Sequence, residues 1–305
     1  MTSIPILENP SKEYLFDTLI PSRQPAILRG LNIGNCVEDW KNIEYLKKKC
    51  GDKIVSIREF TTENLDFLNK NYEFKNVTFS EMLDLILQSP EVQKMRYYFR
   101  SIGENPRKEV SNVDKFSPEL SADFKIPIQF ESIKEKLFSS ILRISSQRIR
   151  VWTHYDVMDN ILCQVTGDKE ITLWPPSDVP YLYVVGSTSS VLDIENPDLL
   201  KFPKFQYASP MKGVLKPGDV LFLPSLWFHN TITQTPSISI NIFWKHLPDD
   251  QYWLKDLYGN RDPIIAEKCL EDLANCIQNI QKMPPHYSNF YLRKMKEMID
   301  AKLNE

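Results

Sequence analysis

Apolar residues recur along this chain at two spacings, one helical and one strand-like, and the spacing changes at recognisable points. The first 75 residues alternate short helical and strand patterns; "QPAILRGL" (24–31) reads as a strand closed by Gly30. Thr78 with Glu81 three residues later is a capping-box signature, and Val77 is placed to staple onto Met82. Together they predict a helix through "EMLDLILQ" that stops at Ser89-Pro90. "MRYYFRSIG" then reads as a strand, and the polar stretch from Glu104 to Ala122 as a surface loop.

From Leu137 to Trp244 the pattern is β throughout. The strand candidates are "ILRIS", "RIRVWTHYDV", "ILCQVTGDKEITLW" with a turn at Thr166–Asp168, "GVLKPGDVLFLP" and "SISINIFW". Short strands punctuated by Gly and Pro turns predict a sandwich or barrel. Beyond it the helical spacing returns. Asp262-Pro263 opens a helix with apolar residues at 265, 269, 273, 276 and 280, "MPPHYS" breaks it, and a second helix carries Phe290, Met295, Met298 and Ile299. The reading is therefore mainly β with α additions: a β domain over 1–246 and a helical hairpin over 247–305. The hairpin's stripes must be buried on the β domain or on a second copy of the chain.

Composition removes several classes. Only nine glycines in 305 residues argue against a glycine-rich nucleotide-binding fold, and 21 prolines agree with many turns. A formal charge of −3 argues against wholesale electrostatic capture of nucleic acid but leaves room for a local basic patch. No apolar run approaches the roughly 18 residues of a membrane helix, and the first residues carry no secretory-leader pattern. The five cysteines (Cys36, Cys50, Cys163, Cys269, Cys276) form no CxxC pair. Buried free thiols in a reducing cytoplasmic or nuclear setting are expected.

The candidate chemistry begins at "WTHYDVMDN" (152–160). If the strand continues through it, His154 and Asp156 share a face, with Tyr155 on the other and Asn160 back on the first. An imidazole beside a carboxylate is either a hydrogen-bonded pair or two-thirds of a metal site. Of the remaining histidines, His246 and His286 lack ligand-like neighbours, whereas His229 ends "KPGDVLFLPSLWFHN", whose two bends deliver it to a strand start. Two histidines and one carboxylate on one face make the facial triad of non-haem Fe(II). Lys169, just past the Thr166–Asp168 turn on a strand returning alongside, is either a solvent-facing hairpin lysine or a buried cation that needs an anion.

At these residues the chain resembles the jumonji-C family of 2-oxoglutarate-dependent oxygenases, through "HYD…N…K", "PGDVLFLPSLWFH" and "NIFWK" across most of residues 20 to 246. "RYYFRSIGENPRKEV", "RISS…VWTHYDVMDN", "NIFWKHLP" and "YGNRDP" are similar to the branch of that family that hydroxylates the wybutosine-type base of tRNA(Phe). The resemblance implies a double-stranded β-helix of jelly-roll, cupin-like form. It assigns His154, Asp156 and His229 to iron, and Lys169 to the distal carboxylate of 2-oxoglutarate. Tyr98, Asn160 and Asn241 are assigned to contacts with that cosubstrate, and O2 takes the last coordination position. It also implies tRNA(Phe) as partner and a homodimer through the C-terminal helices.

Substrate residues follow from chemistry within that resemblance. Wybutosine carries an amino-acid side chain, and an arginine fork could hold its carboxylate. If Tyr98 faces the cavity, alternation turns Arg96 and Arg100 the same way, and Arg100 is the candidate; a rim ion pair is the plainer alternative. Arg148 and Arg150, with Arg293, Lys294 and Lys296 in the last helix, are candidates for the tRNA backbone, against the plainer reading of solvated charges. A jumonji-type hydroxylase of proteins and a non-catalytic binding module remain as rival functions.

Overall fold

The structure, a computed structural model, describes residues 2–88 and 94–303. It resolves into two compact units, residues 1–246 with 255–260, and residues 247–254 with 261–305.

The first unit is built on two mixed sheets of eight and nine strands. The four longest strands ahead of the β region are β1 (Ala26–Arg29), β2 (Ile54–Phe60), β3 (Glu73–Thr78) and β4 (Arg96–Arg100). Eight more follow: β5 (Leu137–Ser145), β6 (Arg150–His154), β7 (Asp159–Thr166), β8 (Lys169–Trp174), β9 (Met211–Leu215), β10 (Val220–Leu223), β11 (Phe228–Thr233) and β12 (Ser237–Trp244). Short two- and three-residue strands aside, the smaller sheet runs β9-β8-β11-β6, and the larger runs β1-β10-β7-β12-β5-β4-β2-β3. Strands β5 to β8 and β9 to β12 alternate between the sheets, which is the jelly-roll connectivity the resemblance implies. Among the described residues the two sheets do not close into a barrel.

Alternation along the central strands decides what faces where. On β7 and β12, Ile161, Cys163, Val165, Ile238, Ile240 and Ile242 join one apolar core with Phe79, Met82, Leu83 and Ile86 of helix α1 (Phe79–Ile86). The alternate positions, Asn160, Gln164, Ser237, Ser239 and Asn241, are polar and still buried. One apolar face thus packs outward on the helical layer, and this polar row points between the sheets beside Leu162, Leu221 and Leu223, which pack on Ile171 and Leu173 of the smaller sheet. A buried polar row is the informative departure, because it marks an interior with a use other than packing.

Several sequence expectations need correction. The Gly167 turn carries the chain from one sheet to the other, so β8 pairs with β9 and β11, and Lys169 does not return alongside β7. Gly167 is needed there: its φ is +73°, and a Cβ would stand 2.2 Å from the Pro236 carbonyl. Strand β6 stops at His154, so Asp156 lies in a connection and Asn160 in the opposite sheet. Residues 104–122 are not simply a loop, since Val113–Phe116 and Pro118–Ser121 are short helices that bury Val113, Phe116 and Leu120. Helix α1 has its capping box and ends at Ile86; the predicted stop at Ser89-Pro90 lies outside the described residues.

In the second unit, helices α2 (Ile264–Gln281) and α3 (Pro285–Leu303) form a hairpin. His286, expected in the break, lies in the first turn of α3. No residue of α2 is buried, and Ile265, Phe290, Met298 and Ile299 are exposed. Cys269 and Cys276 are exposed rather than buried, unlike Cys36 and Cys163. Among the described residues, no helix is long and apolar enough to cross a membrane.

Candidate metal and cosubstrate site

His154 and His229 meet because β6 and β11 are antiparallel neighbours in which these two residues are directly opposed. Their ring centroids are 4.2 Å apart. Asp156 reaches the same point from the connection after β6, its carboxylate 3.6 Å from His229 Nε2. The candidate ligand atoms of the three lie within 4.8 Å of one another. Each imidazole hands its Nδ1 proton to a backbone carbonyl, His154 to Trp152 at 2.9 Å and His229 to Trp227 at 3.1 Å. A carbonyl only accepts, so the neutral rings turn their Nε2 lone pairs toward Asp156. Burial lowers both histidines, His154 to about 3 with the His229 charge as second cause. Both rings are therefore available as neutral ligands.

The loop that delivers Asp156 and His229 is braced from outside the cluster. Asp159 is fully buried and receives both guanidinium arms of Arg23, one at 2.8 Å, together with the Ser225 amide at 2.9 Å. Next to it, Leu226 holds a left-handed φ of +69° and donates its amide to the Asp156 carbonyl at 2.8 Å. Trp227, whose carbonyl orients His229, anchors its indole on the Arg23 carbonyl.

Lys169 is 5% exposed and donates to Ser239 Oγ at 2.7 Å, across from one sheet to the other. No ion pair with a carboxylate is formed by it among the described residues, unlike Lys212 and Lys216 nearby. Burial, and then the Arg143 charge, lower it to about 7. The plain reading as a solvent-facing hairpin lysine is excluded by that burial. Asn241 donates to Asn160 Oδ1 at 3.1 Å and accepts from Arg143 Nε at 2.9 Å, and Arg143 donates to the Tyr98 hydroxyl at 2.6 Å. Tyr98, Arg143, Lys169 and Asn241 line one inner pocket with His154, Asp156 and His229. Asn160 stands behind that pocket as a support for Asn241, with its own Nδ2 lacking a partner.

The remaining candidates separate. Arg100 and Arg143 reach an adjoining cavity, whereas Arg96 pairs with Glu63 at 3.9 Å. Arg150, a candidate for the RNA backbone, is 9% exposed and tied to Asn64, Asp193 and Glu195. Arg148 is exposed on the turn between β5 and β6, and Arg293, Lys294 and Lys296 are exposed on α3. Arg143 and Ser239 were missed by sequence reasoning. Period-two alternation was the available signal, since in "ILRISS" Arg143 falls on the same face as Ser145 and cannot share the core side with Leu142 and Ile144.

Residues 12–250 match the family described as a cupin-like domain. The tRNA wybutosine-synthesizing protein 5 of Danio rerio is 40% identical over 304 residues, covering 98% of this chain and 92% of that protein. Its Homo sapiens counterpart is 40% identical over 297 residues, covering 96% and 93%. The chain belongs to the tRNA wybutosine-synthesizing protein 5 family of cupin-like proteins. A further relative, tRNA wybutosine-synthesizing protein 4 of Neurospora crassa, is 35% identical over 94% of this chain but only 24% of its own length. In that larger protein the family's unit therefore occupies about a quarter of the sequence.

Two outcomes are expected. Unfolded lysine titrates at 10.5 and Lys169 at about 7, so between those values the unfolded chain holds the extra proton and stability rises with pH. Lys169→Met should therefore be more stable than the wild type near pH 7, with the gap closing toward pH 10.5, in denaturant unfolding of both proteins across that range. Parallel curves would remove the buried, uncompensated lysine. Arg23→Met should cost about 2 kcal/mol by the same method, less than the ~3–5 of a fully buried broken pair because Arg23 is partly exposed. It should also weaken divalent-metal binding measured by calorimetry; unchanged metal affinity would detach the brace from the site.

Proposed function

We propose that this chain is an Fe(II)- and 2-oxoglutarate-dependent hydroxylase of the wybutosine-type base of tRNA(Phe). The observation that carries it is Lys169, a buried cation without an acidic partner, in the same pocket as two histidines and a carboxylate presenting open ligand atoms. The residues fit the group: His₂-carboxylate donors suit Fe(II) and leave coordination positions free. A dicarboxylate that reached both the cluster and Lys169 would supply the counter-charge the lysine lacks.

When bound, Fe(II) with 2-oxoglutarate and O2 supplies the oxidation that puts one oxygen atom into a substrate C–H bond, 2-oxoglutarate leaving as succinate and CO2. The chain's own part is holding and shielding. His154, Asp156 and His229 fix the metal, with the Trp152 and Trp227 carbonyls fixing the rings. Lys169 and Ser239 seat the far carboxylate, and Tyr98 and Asn241 are held at the pocket wall by Arg143. The surrounding strands exclude water, so the reaction depends on positioning rather than on a proton-transfer residue.

The names of the relatives support tRNA as substrate, and with it a cytoplasmic setting. We place the oxygenase in residues 1–246 and assign 247–305 to homodimer formation, supported by the exposed apolar residues of α2 and α3. Of the sequence candidates for the RNA backbone, Arg148 and the α3 basic residues remain accessible.

The test is nucleoside mass spectrometry of tRNA bearing the unhydroxylated base, incubated with the protein, Fe(II) and 2-oxoglutarate. A one-oxygen gain on that base is expected, and it should vanish with His154→Ala. Turnover of 2-oxoglutarate without a gain would redirect the search to protein substrates, and no turnover at all would leave a binding module.

A further inference from the structure

Beside the inner pocket, and sharing His154 and Asp156 with it, lies a larger cavity of about 580 Å³. Its wall carries Arg58, Arg100 and Arg143, all on the larger sheet. Register explains why they meet. On β4, Tyr98 is opposed by Arg58 of β2, and Arg100 by Arg143 of β5. Opposed residues share a face, and so do residues two apart, which turns all three guanidinium groups into the cavity.

Arg100 facing Arg143 is a like-charge cross-strand pair, an arrangement that weakens a sheet. Arg96 and Arg150 find carboxylates, but Arg58, Arg100 and Arg143 form no ion pair among the described residues, and Asp156 is the one carboxylate among those lining this cavity. The guanidinium groups lie over rings instead, Arg58 5.1 Å from the Tyr72 centroid and Arg100 5.2 Å from that of Tyr258. Burial, and then the Arg143 charge, lower Arg100 to about 10. The rest of the wall is aromatic, with Phe67 and Trp152 stacked at 4.9 Å and Trp152 5.4 Å from the His154 ring.

Three half-buried cations with no counter-ion are unfavourable in the free protein unless a guest completes them. We propose that Arg58 and Arg100, beside Arg143, form the anion-binding end of the substrate cavity, holding the negative group of a planar base whose ring lies against the aromatic wall. Splayed-out RNA bases are recognised by stacking on aromatic and arginine planes. A planar guanidinium fork suits either a carboxylate on the base's side chain or a backbone phosphate. The inference rests on the proposed hydroxylase function only in taking the guest to be a nucleobase.

Arg100→Gln and Arg58→Gln test it. Without substrate, Arg100→Gln should raise the melting temperature, because the opposed charges are relieved; an arginine that merely supports the fold would lower it. Three probes then separate the anions by direct binding: the wybutosine-type nucleoside with its carboxylate free, its methyl ester, and the 5′-phosphate of that ester. If the carboxylate is the guest, the wild type prefers acid to ester, and the variants lose that preference by about tenfold or more, the scale of one charge-assisted hydrogen bond. If a phosphate is the guest, acid and ester bind alike, and the variants lose the advantage of the phosphorylated probe. Equal affinity of wild type and both variants for all three probes overturns the proposal, whatever the melting temperatures. Binding of Fe(II) and 2-oxoglutarate, followed anaerobically by absorption, is measured on the same samples. Its absence from the wild type would instead strike the hydroxylase reading.

Discussion

The pairing of β6 with β11, which sets His154 directly opposite His229, is the constraint on which the site depends. Strand register has a period of two, so a slip of one residue would send one imidazole to the far face of the sheet. The register is in turn held at the ends of both strands: by the Ser187 carbonyl on the amide of Tyr155, and by the turn before Phe228, where Asp159 and Arg23 fix Ser225. Two residues that never touch the metal candidates thus decide where those candidates point.

The interior these strands enclose is divided. The larger sheet gives one apolar face to the helical layer, and its other face carries a buried polar row beside an apolar patch, Ile27, Leu162, Leu221 and Leu223, that packs on Ile171 and Leu173 of the smaller sheet. Asn160, Asn241, Arg143 and Tyr98 form a continuous hydrogen-bonded line across that second face. Such a line is costly if incomplete, and the unpartnered Asn160 Nδ2 and the ion-pair-free Lys169 show where it is incomplete. Incompletion next to a convergent His₂-carboxylate cluster is the signature of a place meant for a polar guest.

Much of this was legible in the residues. The β region, the α1 capping box, the C-terminal hairpin and the convergence of His154, Asp156 and His229 follow from spacing and turn chemistry. The route by which they converge did not. The strand candidate "RIRVWTHYDV" carried Asp156 on the same strand as His154, but Asp156 sits in a connection whose path is set by the Leu226 amide, 70 residues away. Lys169 was placed correctly beside the site for the wrong reason, because a Gly turn looks the same in sequence whether the next strand returns alongside or crosses to another sheet. Arg150 shows the opposite failure: its partners Asp193 and Glu195 come from a distant loop that no local pattern announces.

The division of labour between the sheets has a mechanical meaning. His154, His229 and Lys169 all belong to the smaller sheet, whereas Ser239, Asn241, Tyr98 and the three cavity arginines belong to the larger. The Lys169–Ser239 hydrogen bond is a rivet through the layers. A small acid seated between them would act as mortar, and its departure would loosen the joint while leaving the metal ligands, both histidines on one slab, in fixed mutual array.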